Sequence, residues 1–127
     1  MIYSLLIIDN AAIGLNGTGA SILPGEGFTA MSYLSHLTAI EDLVWQKPDL
    51  IILEEGLPMD SFEVCYRLRR VLDVPVLIMG SLPRDDGWSR AVQSGADCYL
   101  EKPVTFSELA ARVKAILRRC EWNLEQG

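Results

Sequence analysis

Five runs of apolar residues, each closed by polar or turn-forming residues, set the rhythm of the chain. The clearest is Leu50-Ile51-Ile52-Leu53, which follows Pro48-Asp49 and runs into Glu54-Glu55-Gly56-Leu57-Pro58. A short apolar run without polar alternation, bounded by turn formers, predicts a strand buried on both faces. Tyr3 to Ile8 has the same form and ends in Asp9-Asn10. Phe28 to Leu34, after Gly25-Glu26-Gly27, predicts the second strand. Val74 to Met79 predicts the fourth, begun by Pro75 where a missing N–H is tolerated, and Asp97 to Leu100 a short fifth.

Helical periodicity fills the gaps. Ala11 to Pro24 predicts only a short or irregular helix, because Gly14, Gly17 and Gly19 each weaken it by about 1 kcal/mol relative to alanine. Leu37, Ile40 and Val44, with Leu43 beside them, form one face of a helix that Lys47-Pro48 stops. Met59-Asp60-Ser61 starts a helix reaching about Leu72. Its stripe is Phe62, Cys65, Leu68 and Leu72, with Arg67, Arg69 and Arg70 largely outside. Arg84-Asp85-Asp86-Gly87 leads into a short helix ending at Ser94-Gly95, where glycine suits a left-handed cap. Thr105-x-x-Glu108 is a capping box for the last helix, whose core stripe is Phe106, Leu109, Val113, Ile116 and Leu117. Arg118-Arg119 complement its C-terminal dipole, so residues 1–119 are read as the domain and 120–127 as the start of a linker or an end of the chain.

Strand–helix alternation five times over predicts an α/β fold with a doubly wound, five-stranded parallel sheet and helices on both faces. Right-handed crossovers make the flavodoxin-like order 2-1-3-4-5, in three α/β/α layers, the economical topology. The 127 residues suit one domain, and a hydrophobic fraction of 50% with mean hydropathy +0.20 supplies a full core. A net charge of −6 and pI near 4.7 argue against this domain itself gripping nucleic acid or anionic lipid. Cys65, Cys98 and Cys120 are odd in number and far apart, which reads as buried free thiols in a reducing cytosol. Leu5 to Ile8 is too short to span a membrane and follows no basic segment, so the expectation is a soluble, cytoplasmic protein.

In an open parallel sheet, ligands bind beyond the carboxyl ends of the strands. There the chain delivers Asp9 and Asn10, Glu54 and Glu55, Gly80 and Ser81, and Lys102 before Pro103. Carboxylates beside a lysine are the chemistry for Mg²⁺ and a phosphoryl group. Over essentially its full length the chain resembles the CheY-like receiver domain of two-component response regulators. The resemblance rests on Ile7-Ile8-Asp9-Asn10, on Pro48 to Pro58, on Phe62-Glu63-Val64, on Val74-Pro75-Val76, and on Gly95-Ala96-Asp97-Cys98-Tyr99-Leu100-Glu101-Lys102-Pro103.

That resemblance implies a strand-three aspartate that takes phosphate from a histidine kinase, an acidic pair holding Mg²⁺, a Thr/Ser after strand four, a lysine before proline, and an aromatic that changes rotamer. The acceptor position falls on Glu54, the acidic pair on Asp9 and Asn10, the Thr/Ser on Gly80 with Ser81 one step late, the aromatic on Tyr99 and the lysine on Lys102. Metal positions would be Asp9, Glu54 and Gly56, so Mg²⁺ binding is expected to be weakened or lost. The turn after strand three is also one residue short. An atypical receiver follows: a regulatory binding module without catalysis. Two other readings stand beside it. One is a working phosphorelay receiver with a non-standard acidic acceptor, for which Asp49, Glu55 and Asp60 are poorly placed. The other is a flavodoxin-like small-molecule binder, which lacks a G-x-G-x-x-G loop.

The same resemblance points to a homodimer through the fourth helix, fifth strand and fifth helix, like that of OmpR/PhoB-type transcription factors. Arg90, Asp97, Glu108, Arg112, Lys114 and Arg119 would be its charged set, although Trp88 and Cys98 stand where charges are common. A histidine kinase and an output domain are the other implied partners.

Overall fold

The computed structural model describes residues 3–8, 28–34, 47–54 and 60–126. Five parallel strands, β1 (Tyr3–Ile8), β2 (Phe28–Leu34), β3 (Leu50–Glu54), β4 (Val76–Gly80) and β5 (Cys98–Glu101), lie in the order β2-β1-β3-β4-β5. The helices are α1 (Ser61–Val71), α2 (Arg84–Ser94) and α3 (Phe106–Gln126). The helices predicted after β1 and after β2 fall outside the described residues, so α2 and α3 are the fourth and fifth of the sequence pattern.

The unalternated strands bury both faces, and neighbouring residues feed two separate cores. Leu5, Ile7, Leu50, Ile52, Leu77, Met79, Cys98 and Leu100 meet Leu109, Ala110, Val113, Ile116 and Leu117 of α3. Leu6, Ile8, Ile51, Leu53, Val76, Ile78 and Tyr99 meet Phe62, Val64, Cys65 and Leu68 of α1 and Ala91 of α2. Side chains that alternate along a strand require this partition once helices cover each face.

Local chemistry explains where boundaries depart from the sequence pattern. β4 starts at Val76 rather than Val74, because Pro75 has no N–H to offer and its carbonyl instead accepts from Ile51 N at 3.0 Å. Asp97 stands just before β5. Its N–H donates to Val76 O and its Oδ2 accepts from Val76 N, both at 2.8 Å. Asp60 caps α1, with Oδ1 accepting from Phe62 N at 2.9 Å, and Gly95 closes α2 at φ 90°. α2 includes Gly87, which the sequence pattern places before the helix. Thr105 Oγ1 accepts from Glu108 N at 3.1 Å at the start of α3. That helix continues to Gln126, past the boundary drawn at Arg119, because no glycine or proline interrupts residues 104–126.

All three cysteines are free; Cys65 and Cys98 are buried and Cys120 is half-buried. Burial pushes each thiol pKa up, which disfavours the reactive thiolate. At pH 8, Ellman's reagent is expected to label Cys120 slowly in the native protein. Cys65 and Cys98 should react only after denaturant unfolds the chain.

Candidate functional site

Glu54 is the last residue of β3, paired in register with Met79, and it continues the parity of Leu50 and Ile52. Its side chain is only 2% exposed and forms an ion pair with Lys102, Oε1 accepting from Nζ. Lys102 stands one residue beyond β5. Its backbone N–H donates to Gly80 O at 2.7 Å, so the β4–β5 ladder carries it to the strand-three tip. The Lys102–Pro103 peptide is cis. The Lys102 side chain is 26% exposed, so the cation faces the mouth of the crevice while the carboxylate lies inside. Ser61 Oγ donates to Glu54 O at 2.9 Å, fastening the start of α1 to the end of β3.

Around this pair the strand-end positions have distinct characters. Gly80 is buried and has no hydroxyl; Ser81 beside it is exposed. Tyr99 points into the α1/α2 side of the core at 1% exposure, with its hydroxyl donating to Leu82 O at 3.1 Å. Asp9, Asn10, Glu55 and Gly56 lie outside the described residues. No group of three or more His, Cys, Asp or Glu side chains among the described residues could hold a metal ion. Of the described carboxylates at the strand tips, Glu54 is paired with Lys102 and Glu101 Oε1 accepts from Arg84 N at 3.0 Å, so each is already engaged by a donor of the protein.

The other candidate acids are differently placed. Asp49 is exposed before the first residue of β3, at the opposite end of the strand from Glu54. Asp60 spends Oδ1 on the α1 cap and Oδ2 on Arg90, 3.2 Å away. Arg90 also lies over the Phe62 ring, 4.3 Å from its centroid. Two members of the charged set therefore have partners on the α1 side: Arg90, and Asp97, which is 3.7 Å from Arg69. Glu108, Arg112, Lys114 and Arg119 are exposed along α3. Arg112 and Arg119 are near enough to Cys98 to oppose, without cancelling, the upward push of burial on its thiol. The Asp60–Arg90–Phe62 arrangement had no periodic signature in the sequence, since its residues come from two different helices.

Residues 5–114 match the family model described as the response regulator receiver domain. The chain is 33% identical over 120 residues to the phosphate regulon transcriptional regulatory protein PhoB of Pseudomonas aeruginosa, covering 91% of this chain and 52% of that protein. It is 44% identical over 77 residues to the transcriptional regulatory protein AfsQ1 of Streptomyces coelicolor, covering 60% and 34%. Those relatives are thus matched over about half their length or less. A two-component response regulator from Clostridium difficile superposes with TM-score 0.78 at 31% identity, covering 93% of this chain and 98% of that one. A CheY-like receiver domain protein from Methanospirillum hungatei does so with TM-score 0.81 at 18% identity, covering 97% and 99%. The matched proteins are regulators rather than enzymes.

The asymmetric burial of the ion pair gives an asymmetric mutational outcome. Lys102→Met withdraws the cation from a buried carboxylate and is expected to destabilise the domain by about 3 kcal/mol. Glu54→Met leaves a lysine that can turn toward water and should cost less than half as much. Urea unfolding of both variants checks the order.

Proposed function

The chain belongs to the response regulator receiver domain family, and on that premise we propose that it is an atypical member, not switched by Mg²⁺-dependent aspartyl phosphorylation. The observation that carries this reading is the Glu54–Lys102 ion pair, which occupies the acceptor position with the cation that would otherwise meet a phosphoryl group. Glutamate extends the carboxylate by one C–C bond of about 1.5 Å. Phosphoryl transfer is governed by positioning, and a misplacement of about 1 Å can lower the rate on the order of 10²-fold. Asn10 replaces a charged metal ligand with a neutral one, and Gly80 supplies no hydroxyl to a phosphoryl oxygen.

In this reading the domain acts through protein contacts. The relatives' names support assigning it to a transcriptional regulator of PhoB type; membership of the receiver family adds, to the same reading, a cytoplasmic setting, an output domain and, as a former or altered partner, a histidine kinase. No helix among the described residues is long and apolar enough to cross a membrane. The exposed Glu108, Arg112, Lys114 and Arg119 of α3, with Arg90 and Asp97, offer a charged face for a homodimer through α2, β5 and α3. Trp88, packed partly against the α3-side core, would place an apolar contact within it.

Acetyl phosphate with Mg²⁺ is expected to leave the intact mass unchanged. A gain of about 80 Da would overturn the reading, and peptide mapping would then assign the phosphate to Glu54, Glu55, Asp49 or Asp60. Equilibrium sedimentation should show a dimer that Arg112→Glu weakens. A monomer at high concentration would count against the interface.

A further inference from the structure

Gly87 lies inside α2 and is buried, yet its backbone does not call for glycine: the described glycine at positive φ is Gly95. Space is what excludes a side chain. A Cβ at position 87 would lie 2.1 Å from Tyr99 Cε2, 2.3 Å from Cζ and 2.5 Å from Cδ2, which no pair of carbons tolerates. One edge of the Tyr99 ring therefore fills the volume that any other residue at 87 would need.

The rest of the ring's surroundings hold it there. Phe62 stacks beside it, with ring centroids 6.3 Å apart and planes 20° from parallel. The Arg90 guanidinium covers Phe62 and is anchored by Asp60. The Tyr99 hydroxyl holds Leu82 O in the loop between β4 and α2.

We infer that Gly87 is a positioning residue, the seat that admits the Tyr99 ring beneath α2 and keeps this aromatic inward without any phosphoryl signal. The inference deepens the proposed atypical reading and rests on it for its functional meaning. Helix propensity alone favours alanine over glycine at an interior helical position. That preference is offset here by the ring, so the sign of Gly87→Ala depends on what stands at 99. The ring is also closed to reagents that reach Tyr66, whose side chain is half-exposed.

A four-protein thermal-unfolding cycle tests the seat: the parent, Gly87→Ala, Tyr99→Val and the double variant. Gly87→Ala is expected to lower Tm when Tyr99 is present and to raise it when residue 99 is valine. If Gly87→Ala alone does not fold, recovery of a cooperative transition in the double variant counts the same way. A higher or unchanged Tm with Tyr99 present, or a double variant no more stable than Tyr99→Val, overturns the inference. Nitration by tetranitromethane, mapped by mass spectrometry, supplies a second readout. In the parent, Tyr66 should be modified and Tyr99 protected, with and without acetyl phosphate and Mg²⁺; modification of Tyr99 in the native parent overturns the inward hold. Phosphate on Glu54 would remove the atypical reading yet leave the sign reversal intact, so the two failures are distinguishable.

Discussion

A carboxylate at the end of a strand buried on both faces has little access to water, and this constraint governs the crevice. Leaving such a charge uncompensated costs several kcal/mol, more than most single contacts contribute. The β4–β5 ladder brings Lys102 to the same tip through its bond to Gly80, so the sheet's own register supplies the cation. The net gain of such a pair over two apolar residues is small, because both charges give up solvation. On the proposed reading its larger consequence is exclusion, since a lysine paired with Glu54 would have to leave it to receive an anion.

That pair was half legible in the residues. Glu54 after four apolar positions and Lys102 before Pro103 marked two strand tips, and strand–helix alternation brought those tips to one crevice, with β4 between them. Short unalternated strands made the layered sheet readable, since only burial on both faces explains Leu50 to Leu53 and Leu5 to Ile8 together. Helix ends were less legible. The last helix passes Arg119 because a basic pair suits a C-terminus without enforcing one, whereas Gly95 does end α2.

Contacts between helices were the least legible, for a physical reason. A periodicity reports which face of an element is buried but not which side chain meets it from a neighbour. Arg90 has the pattern of an exposed helical charge, and only the packing of α2 beside α1 brings it over Phe62 and onto Asp60. Gly87 is the sharper case. After Asp85-Asp86 it reads as the last residue leading into the helix, and its role emerges only once Tyr99 is seen beneath it.

The ion pair and the aromatic lie on different sides of the sheet by parity, Glu54 with Ile52 and Tyr99 with Ile78. They are nevertheless tied by hydrogen bonds at the strand ends. Ser61 joins the carbonyl of Glu54 to α1, whose Asp60 cap holds Arg90 of α2, the helix that seats Tyr99. Tyr99 in turn holds Leu82, and Glu101 Oε1 accepts from Arg84 N at 3.0 Å, so the middle of the β4–α2 loop and the first residue of α2 are both fastened to β5. The Asp60–Arg90 contact joins α1 to α2, and the other bonds fasten α1 to β3 and the loop and α2 to β5, so the two sites share one chain of contacts. On the proposed reading, the neutralised carboxylate and the glycine bear on that one chain of contacts from its two ends, the first at the β3 tip and the second by admitting the ring that holds Leu82.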